Sequence, residues 1–555
     1  MRYLDALAWQ KILFADEPNR FELLKLRGEF PCRPVVLRVH RNQGFEQVAS
    51  ALTPFLAFSG WRAEWRIGDY DDTLSFSVLA SEEKADVELV WLDFDRYSGM
   101  MEEQCAVWLV ERLTALRAMT PAPIVVANRV GGNNLVLTHW AEKTPAVSVL
   151  DQAAMAERLG DSYWDTRRAA LTGSRLSDRA CLITARTLGF GILPPLLGPM
   201  LKVLAVDLDH TIYHGVLGED GAKGVELTPG HAELQELLVA LVQRGLLLVV
   251  VSRNEPEDVQ ELFQIRTDFP LRPEHVVRWQ IGWSPKSEGI LEALHQLRVG
   301  SESVLFIDDN PGELTAVAQA IPEARLLFAG LAPERTASAL RNYPALWPRK
   351  PTVAGDLRAV DLKANLQRQE ATASLDPKEY LRSLEVELMF VRDPVAERAR
   401  LAELSGKTNQ FNLSLQRLGE VAVEKYLADP DCRVVMVWLK DRLADSGSVA
   451  AIFGRRDGDA MVIDELCISC RALGRYVEDL IIAESLADIL SSFPCRTVHF
   501  PFVDGPRNQP ARRWLETFAG LSLVDACGKI TLAWPSSRVD EIRKDAVPKI
   551  VWRQG

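Results

Sequence analysis

Short β-branched runs alternate with helical patterns twice along this chain. Between about residues 34 and 150, PVVLRV, VELVWLDF, APIVVAN and AVSVL alternate with helical stretches such as GFEQVASALTPFLAF. Between about residues 200 and 329 the alternation restarts with VLAVDLD, LLLVVVSRN and SVLFIDDN. Strands that alternate with helices build a parallel sheet with helices on its faces. The sequence therefore predicts two parallel α/β domains.

The last part of the chain follows a different pattern. From about Glu385, the runs VELMFVRD, RVVMVWLKD, VAAIFGRRD and AMVIDELCIS are consecutive strand patterns, and a helical stretch begins at Arg475 before RTVHFPFV. Consecutive strands followed by a helix are typical of an α+β domain. The predicted organisation is an α/β domain at 1–180, a second one at 181–330, a linker ending in a helix at 331–380 and an α+β domain at 381–555.

Charge and apolar patterning exclude several classes of protein. A formal net charge of −12 argues against a nucleic-acid or anionic-membrane partner, because like charges repel. The stretch LGFGILPPLLGPMLKVLAVDLD is too short and too interrupted by prolines and Lys202 to span a membrane. The eight cysteines are scattered, and the first residues lack the apolar core of a secretory signal. We expect a cytoplasmic protein with no nucleic-acid or membrane partner.

Charged and hydroxyl side chains stand at the ends of successive elements in residues 181–330. In chain order these residues are Asp207, Asp209, Thr211, Ser252, Lys286, Asp308 and Asp309. A D-x-D pair alone is more typical of a turn, since aspartate bonds to its own backbone. The carboxyl ends of parallel strands, however, lie on one edge of the sheet. We therefore expect these side chains to converge on one pocket.

These residue types suit phosphoryl transfer. One carboxylate can attack phosphorus to give an aspartyl-phosphate, while a second carboxylate moves the proton of the leaving group. Small hydroxyls and a lysine can hold the phosphoryl oxygens, and a hard cation offsets their negative charge.

The order D-x-D-x-T, Ser, Lys and DD resembles the haloacid-dehalogenase (HAD) superfamily of phosphatases and phosphotransferases. The resemblance implies that Asp207 is the nucleophile and Asp209 the general acid/base, and that Thr211, Ser252 and Lys286 bind phosphate. It also implies Mg²⁺ as cofactor, held by Asp207, the carbonyl of Asp209, Asp308 and Asp309. The short spacings leave no room for a cap domain, and an open site suits a bulky or carrier-bound substrate.

Within that superfamily, VDLDHTIYHGVLGEDG is most similar to the FkbH-like group, subfamily IIIC. VSRNEPEDV, FIDDNPGE, KTNQFNLS and ISCRALGR extend the resemblance from about residue 160 to about 530. The resemblance implies a small phosphorylated acyl donor, 1,3-bisphosphoglycerate, whose glyceryl group is loaded onto the phosphopantetheine thiol of an acyl carrier protein in polyketide-type pathways. It adds Arg253 and Asn254 to the substrate- or phosphate-binding residues.

Four residues at the pocket mouth depart from the group's pattern. His210 replaces the usual Asn, Tyr213 and His214 replace Trp-Gly, and Arg253 replaces Lys. These changes leave the phosphoryl chemistry intact and put the acyl substrate in doubt. His214 either contacts a substrate carboxylate or phosphate, or is a solvated histidine in a surface turn.

The α+β domain contains a candidate second nucleophile. Cys470 belongs to a C-x-x-C pair with Cys467, but no second pair lies at zinc spacing. Its thiolate could attack an acyl phosphate and pass the thioester to a carrier thiol, with Arg471 and a helix start lowering its pKa. A buried structural cysteine is the equally weighted alternative.

Other motifs of the α+β domain bear on the role of Cys470. RALGRY and RNQPARRWLETFAGL are similar to the cofactor turn and late helix of N-acetyltransferase-like (GNAT-like) folds, although Tyr476 stands where Gly or Ala is expected. In KTNQFNLS, the amides of Asn409, Gln410 and Asn412 either face Cys470 in a binding site or tie a loop.

Residues 1–180 resemble the SGNH-type hydrolase region of longer family members. The serine required after the first strand of that fold is missing in LRVHRNQGFE. We therefore predict a non-catalytic docking or packing domain, with a ligand contact by Arg38, His40 and Arg41 as the alternative.

The main hypothesis is a HAD-type phosphatase coupled to glyceryl transfer through Cys470. One rival is a plain Mg²⁺-dependent phosphatase with an inert C-terminal module, or an acyltransferase in the modification of surface sugars or natural products. Another is a non-catalytic scaffold that docks a carrier protein.

Overall fold

The computed structural model contains three β-sheets in two compact units, 1–351 and 352–555. It describes residues 3–26, 32–76, 84–198, 200–330, 332–346, 377–469, 471–473, 475–505, 508–520, 527–533, 536–544 and 546–555. Cys470 and most of the predicted linker lie outside these residues. The predicted domain boundaries at 180/181 and 330/331 both lie within the first unit and stay predictions.

The first sheet is parallel and has five strands in the order β2-β1-β3-β4-β5. Its strands are β1 (Arg33–Arg41), β2 (Trp61–Tyr70), β3 (Val87–Trp91), β4 (Ile124–Ala127) and β5 (Val147–Leu150). Four of them coincide with the predicted runs, whereas β2 had no predicted counterpart. The predicted α/β class is confirmed for this sheet.

The second sheet is also parallel, in the order β10-β9-β6-β7-β8. Its strands are β6 (Val203–Val206), β7 (Leu247–Ser252), β8 (Val276–Ile281), β9 (Val304–Asp308) and β10 (Arg325–Phe328). The helices of the first unit are Tyr3–Leu13, Arg20–Lys25, Glu46–Phe58, Glu102–Met119, Leu135–Lys143, Gln152–Leu159, Ala169–Thr172, Asp178–Arg186, Pro194–Leu197, Leu217–Gly224, Pro229–Gln243, Pro256–Ile265, Lys286–Gln296, Pro311–Ala320 and Pro333–Arg341.

Aromatic residues join the two parallel sheets into one unit. The ring of Phe14 lies 5.4 Å from that of Phe58, 5.1 Å from that of Phe190 and 5.8 Å from that of Tyr343. Such ring pairs add about 0.5–1.5 kcal/mol each beyond their area burial. The first unit therefore has one continuous core across both sheets.

The apolar run Asp178–Leu197 contributes to this core. Among the described residues it is the one helical run with the length and composition of a membrane span, and 61% of its apolar window is buried. Gly189 packs closely on Phe55, because a Cβ at Gly189 would come within 2.5 Å of the Phe55 Cβ. Buried core helices pass the same test of length and composition.

The second unit contains a mixed seven-stranded sheet in the order β16-β15-β14-β13-β12-β11-β17. Its strands are β11 (Glu387–Arg392), β12 (Cys432–Lys440), β13 (Asp445–Asp457), β14 (Ala460–Ile468), β15 (Thr497–Val503), β16 (Cys527–Ala533) and β17 (Lys549–Gln554). Its helices are Pro377–Leu384, Arg398–Lys407, Glu420–Ala428, Glu478–Ser492, Gln509–Ala519 and Ser536–Lys544. Apolar clusters cover both faces of this sheet, as expected for an α+β domain.

Candidate active site

The carboxyl edge of the second sheet holds the candidate site. Asp207 directly follows β6, Ser252 ends β7 and Asp308 ends β9. Lys286 is the first residue of the helix that follows β8 and a short loop. All four side chains are buried. The edge therefore brings together residues that lie about 100 positions apart in the chain, as the parallel topology requires.

Asp207 is held by two donors at the base of the site. Ser252 Oγ donates a hydrogen bond of 2.8 Å to Asp207 Oδ1, and Lys286 Nζ lies 2.8 Å from the same oxygen. Lys286 Nζ also donates to Asp308 Oδ2 at 2.6 Å. A single ammonium group thus bridges two buried carboxylates.

Asp209 is fixed by three donors of its own. Tyr213 Oη and the backbone N–H of Leu217 donate to Asp209 Oδ1 at 2.7 and 2.9 Å. Asn254 Nδ2 donates to Asp209 Oδ2 at 2.9 Å and to Ser252 Oγ at 3.1 Å. Asn254 therefore links the Asp209 carboxylate to the Ser252 hydroxyl that contacts Asp207.

The clustered carboxylates have perturbed protonation equilibria. Burial raises the pKa of Asp207, although the Lys286 charge opposes the shift. Burial and the Asp207 charge raise the pKa of Asp308 to about 7, and the same two causes raise the pKa of Asp309. Burial lowers the pKa of Lys286, but the charges of Asp207 and Asp308 outweigh it and raise this pKa overall. The site carries more negative charge than its one ammonium group can balance.

The donor set fits a hard divalent cation. One carboxylate oxygen each from Asp207, Asp308 and Asp309 lies within 4.8 Å of the others. Among the described residues this is the one such group of metal-ligating side chains. Mg²⁺ prefers oxygen ligands, and it is usually bound by a few carboxylates together with water molecules or phosphate oxygens. A cation would also reverse the raised pKa values by favouring the ionised carboxylates.

Thr211, two residues after Asp209, has a buried hydroxyl and is not among the residues that line the cavity above this cluster. It is 1% exposed, and its Oγ1 has no hydrogen-bond partner among the described residues. Buried polar groups are normally satisfied, so an orphaned hydroxyl at this position is suited to a ligand oxygen. The preceding His210 has a φ of 52°, a left-handed conformation that folds the turn between Asp209 and Gly215.

A cavity of about 400 Å³ opens above the base of the site. It is lined by Asp207, Asp209, His210, Ser252, Arg253, Lys286, Asp309, Asn310, Pro311 and Glu313. Arg253 Nη2 lies 2.8 Å from Glu313 Oε1 at its mouth. His214 is exposed and does not line this cavity; its ring lies 5.6 Å from that of His210.

The sequence left several of these contacts without a prediction. Tyr213 was recognised only as a departure from the family pattern, yet its hydroxyl contacts Asp209 directly. Its spacing of four residues from Asp209 in a turn is the signal that could have shown this. Asn310 and Glu313 were not singled out, although Asn310 caps the helix Pro311–Ala320 that follows β9 and Glu313 lies in the first turn of that helix.

The motif KTNQFNLS fills a gap in the third sheet. Strands β14 and β15 pair only from Ala460 to Val462 among the described residues. Further along, Ile468 N–H donates to the Phe411 carbonyl at 2.9 Å and Val503 N–H donates to the Leu413 carbonyl at 3.0 Å. Residues 411–413 therefore act as a short strand between β14 and β15.

The polar residues of this motif contact the protein itself. Asn412 Nδ2 donates to the buried Glu465 Oε1 at 2.6 Å, and Asn409 Oδ1 accepts from Arg417 at 2.7 Å. Gln410 is half-buried. The structure thus gives Asn409 and Asn412 loop-tying contacts, one of the two interpretations left open by the sequence.

Arg471 lies next to the position of Cys470, which is outside the described residues. Its guanidinium is buried and donates to the carbonyl of Ser448 at 2.8 Å and to the carbonyl of Ser446. The backbone N–H of Arg471 donates to Ser469 Oγ at 3.4 Å. These contacts tie the turn after β14 to the start of β13.

The candidate ligand residues of the first sheet form a closed cluster. Arg38 and His40 are buried and lie 3.0 and 2.9 Å from the two oxygens of Glu88. Arg41 pairs with Glu46 at 2.6 Å. A buried carboxylate between two basic side chains is what a packed polar core requires.

Comparison with known proteins gives structural similarity only. No protein-family model matches the chain, and no curated protein matches it in sequence. The N-terminal part of the protein BF1531 from Bacteroides fragilis, which contains a phosphatase domain and is complexed with Mg, is similar in structure, with 18% identity and a TM-score of 0.45. The match covers 61% of this chain and 96% of that one.

Two shorter matches are weaker. A protein from Mesorhizobium loti assigned as a HAD-like phosphatase has 12% identity and a TM-score of 0.20, over 28% of this chain and 91% of its own. A hypothetical protein from Xanthomonas campestris has 16% identity and a TM-score of 0.19, over 32% and 90%. At these values the similarities carry no inference about function.

Proposed function

We propose that the chain is an Mg²⁺-dependent phosphatase or phosphotransferase that acts through Asp207. The observation that carries the proposal is the grouping of one carboxylate oxygen each from Asp207, Asp308 and Asp309 within 4.8 Å of one another, with Lys286 and Ser252 on Asp207. The same grouping makes Mg²⁺ the cofactor. When bound by these carboxylates, Mg²⁺ supplies the positive charge that lets a phosphate dianion approach them.

The chain's own residues account for the steps of the reaction. An Asp207 oxygen attacks phosphorus, the bond from phosphorus to the leaving oxygen breaks, and Asp209 gives that oxygen a proton. Asp209 then takes a proton from water, whose oxygen attacks phosphorus and breaks the bond to Asp207. Phosphate is released and both carboxylates return to their starting state. Tyr213 and Asn254 orient Asp209 for these transfers.

In this proposal, three side chains hold the phosphoryl group. Thr211 offers the unpartnered hydroxyl, while Ser252 and Lys286 already surround Asp207. In many enzymes, hydrogen-bond donors that already point at the oxygens that gain charge in the transition state make the largest contribution to the rate enhancement.

A substitution of the nucleophile tests this proposal. Asp207→Asn should abolish phosphate release from acetyl phosphate and p-nitrophenyl phosphate in the presence of Mg²⁺. Glu261→Gln, at an exposed carboxylate on the helix Pro256–Ile265, is the matched control and should retain wild-type rates. Equal rates for wild type and a folded Asp207→Asn variant would contradict the assignment of Asp207.

We further propose that phosphate removal is coupled to glyceryl transfer. The proposal comes from the family motifs. The Cys470 thiolate attacks the acyl carbon of 1,3-bisphosphoglycerate, the bond to the acyl phosphate breaks and that phosphate leaves. The Asp207 site hydrolyses the remaining phosphate ester, and the phosphopantetheine thiol of an acyl carrier protein takes the acyl group and frees Cys470. The SGNH-like and GNAT-like assignments of the first and third sheets belong to the same proposal. Its supporting feature is the buried guanidinium of Arg471, the residue after Cys470 in the sequence, which donates to the Ser448 carbonyl.

Intact mass of the carrier tests the transfer. A carrier protein incubated with the enzyme, Mg²⁺ and enzymatically generated 1,3-bisphosphoglycerate should gain a glyceryl group with wild type. Cys470→Ala should give no adduct, and Asp207→Asn should give an adduct that retains its phosphate. Phosphate release without any adduct would leave a phosphatase whose C-terminal module is inert, or one that serves another acyl acceptor.

A further inference from the structure

The carboxylate of Asp209 accepts hydrogen bonds from three groups that are not among those lining the cavity. Tyr213 Oη and the Leu217 N–H donate to Oδ1 at 2.7 and 2.9 Å, and Asn254 Nδ2 donates to Oδ2 at 2.9 Å. Tyr213, Leu217 and Asn254 are buried, whereas Asp209 itself lines the cavity. The three groups can therefore act on a substrate only through the side chains that they contact.

The two oxygens of Asp209 differ in how many donors they accept. A carboxylate offers about four acceptor sites, shared equally between its oxygens. The two donors on Oδ1 fill both of its sites, while Oδ2 accepts from Asn254 alone within the described chain. The open site of the carboxylate therefore lies on Oδ2. This oxygen can give or receive a proton without displacing a donor of the protein.

Packing fixes the Tyr213 side chain in its position. The residue is 0% exposed, and its ring stacks on that of Phe269 with the centroids 6.0 Å apart and the planes at 25°. The carbonyl of the preceding Ile212 accepts from the buried Gln235 Nε2 at 2.8 Å. In the described parts of the chain, Asp209 is the one hydrogen-bond partner of the Tyr213 hydroxyl. The packed ring thus directs its hydroxyl at the carboxylate.

We propose that Oδ2 of Asp209 is the atom that passes the proton, and that Tyr213 is the positioning residue that reserves it for this task. Oδ2 gives its proton to the leaving oxygen as the bond to phosphorus breaks, and later takes a proton from the attacking water. The Tyr213 hydroxyl keeps its own proton in both steps. The inference rests on the proposed function and deepens it, because it assigns the proton transfer to one atom. Tyr213 stands where the FkbH-like pattern has Trp, so its hydroxyl is not part of that pattern.

Tyr213→Phe removes the hydroxyl and keeps the ring that stacks on Phe269. One acceptor site on Oδ1 then becomes open, so either oxygen can hold the proton, and the carboxyl group loses one of the bonds that fix its rotation. The resulting loss should depend on the leaving group. A basic leaving group needs a proton as the bond to phosphorus breaks, whereas a weakly basic one leaves as an anion.

Phenyl phosphate and p-nitrophenyl phosphate test this dependence, because they are similar in shape and differ in the basicity of the leaving phenolate. Release of the phenol into dilute solution is irreversible, so kcat/KM reports the steps up to that release and not the later attack of water. Tyr213→Phe should lower kcat/KM for phenyl phosphate about tenfold more than that for p-nitrophenyl phosphate, since a hydrogen bond to a charged group is lost.

Tyr343→Phe is the matched control. The Tyr343 hydroxyl is also buried and donates to the Leu326 carbonyl at 3.1 Å, but the residue is not among those that line the cavity. Its removal should keep the ratio of the two kcat/KM values.

A second pair of variants separates positioning from packing. Asp209→Ala removes the acid and should lower kcat/KM for phenyl phosphate about 100-fold. Adding Tyr213→Phe to Asp209→Ala should cause no further loss, because the hydroxyl then has no carboxylate to hold. A residue that only packs would lower kcat/KM for both esters equally, with or without Asp209.

The outcomes separate the inference from the proposed function. Equal losses on the two esters, or a further loss in the Asp209→Ala background, would overturn the inference and leave the phosphatase intact. A wild type that cleaves p-nitrophenyl phosphate but not phenyl phosphate would also overturn it, since there would be no proton transfer to position. A wild type that releases phosphate from neither ester, nor from acetyl phosphate, would overturn the proposed function together with the inference.

Discussion

Lys286→Met removes the cation that lies between two buried carboxylates. Lys286 Nζ is 2.8 Å from Asp207 Oδ1 and 2.6 Å from Asp308 Oδ2, and the three side chains are between 0% and 6% exposed. Breaking a buried ion pair by removing one partner costs about 3–5 kcal/mol, because the other charge stays buried. For a unit that spans residues 1–351, at about 2.1 cal/mol/K of unfolding entropy per residue, each kcal/mol corresponds to about 1.4 °C in Tm, so we expect a loss of about 4–7 °C at pH 8.

The loss should shrink at low pH. Asp308 has its pKa raised to about 7 by burial and by the Asp207 charge, so it is largely neutral at pH 5.5 and needs little compensation there. Native Asp308 binds its proton more tightly than the unfolded chain does, and the penalty of ionising it grows as pH rises towards 7.

Thermal unfolding in EDTA at pH 5.5 and pH 8 measures both effects. Lys223→Met, at an exposed lysine of the same unit, is the matched control and should shift Tm by no more than about 2 °C. The reasoning is refuted if Lys286→Met behaves like this control, or if its loss of Tm is the same at both pH values.

Three further predictions follow from single contacts. Thr211→Val should leave Tm nearly unchanged, because its buried hydroxyl has no partner in the described residues, and should lower kcat/KM about tenfold; a lower Tm with normal kinetics would contradict this. Added Mg²⁺ should raise Tm more at pH 8 than at pH 6, because Asp308 must lose a proton to bind it; equal shifts in Tm at both pH values would speak against the site. Asn412→Ala should destabilise the second unit by about 1–3 kcal/mol in urea, since Glu465 loses a buried donor; a loss no larger than that of Asn409→Ala would argue otherwise.

Periodicity and strand-end chemistry predicted much of the second sheet. The runs ending at Asp207, Ser252 and Asp308 became β6, β7 and β9, because apolar β-branched runs before charged residues leave few alternatives. β8 and β10 had no predicted counterpart. The run that forms β8, VVRWQI, is short and contains Arg278, so it lacks a clear period.

Side-chain contacts that depend on turn geometry could not be predicted from the sequence. The Tyr213 hydroxyl reaches Asp209 within a turn in which His210 has a left-handed φ of 52°; the spacing of four residues indicates that the two residues are close but does not fix the direction of the side chain. The Arg253 pair with Glu313 joins the loop after β7 to the first turn of the helix Pro311–Ala320, 60 positions further along the chain. Such contacts become visible only when the strand order is known.

In the third sheet, the sequence likewise did not predict a pairing between segments that lie far apart in the chain. KTNQFNLS was recognised as a motif, but its amides could be assigned to a ligand or to a loop. Its insertion between β14 and β15 depends on strands that begin at Ala460 and Thr497, far along the chain. Non-local pairing of this kind leaves no local sequence pattern.

The central claim is that Asp207 carries the phosphoryl group. Acetyl phosphate turnover with Mg²⁺ can be quenched in acid and treated with borohydride, which reduces an aspartyl-phosphate to homoserine, and peptide mass spectrometry then reads the modified position. We predict homoserine at residue 207 in wild type and none in Asp207→Asn. Phosphate release with an unmodified Asp207, or modification at another carboxylate, would contradict the account.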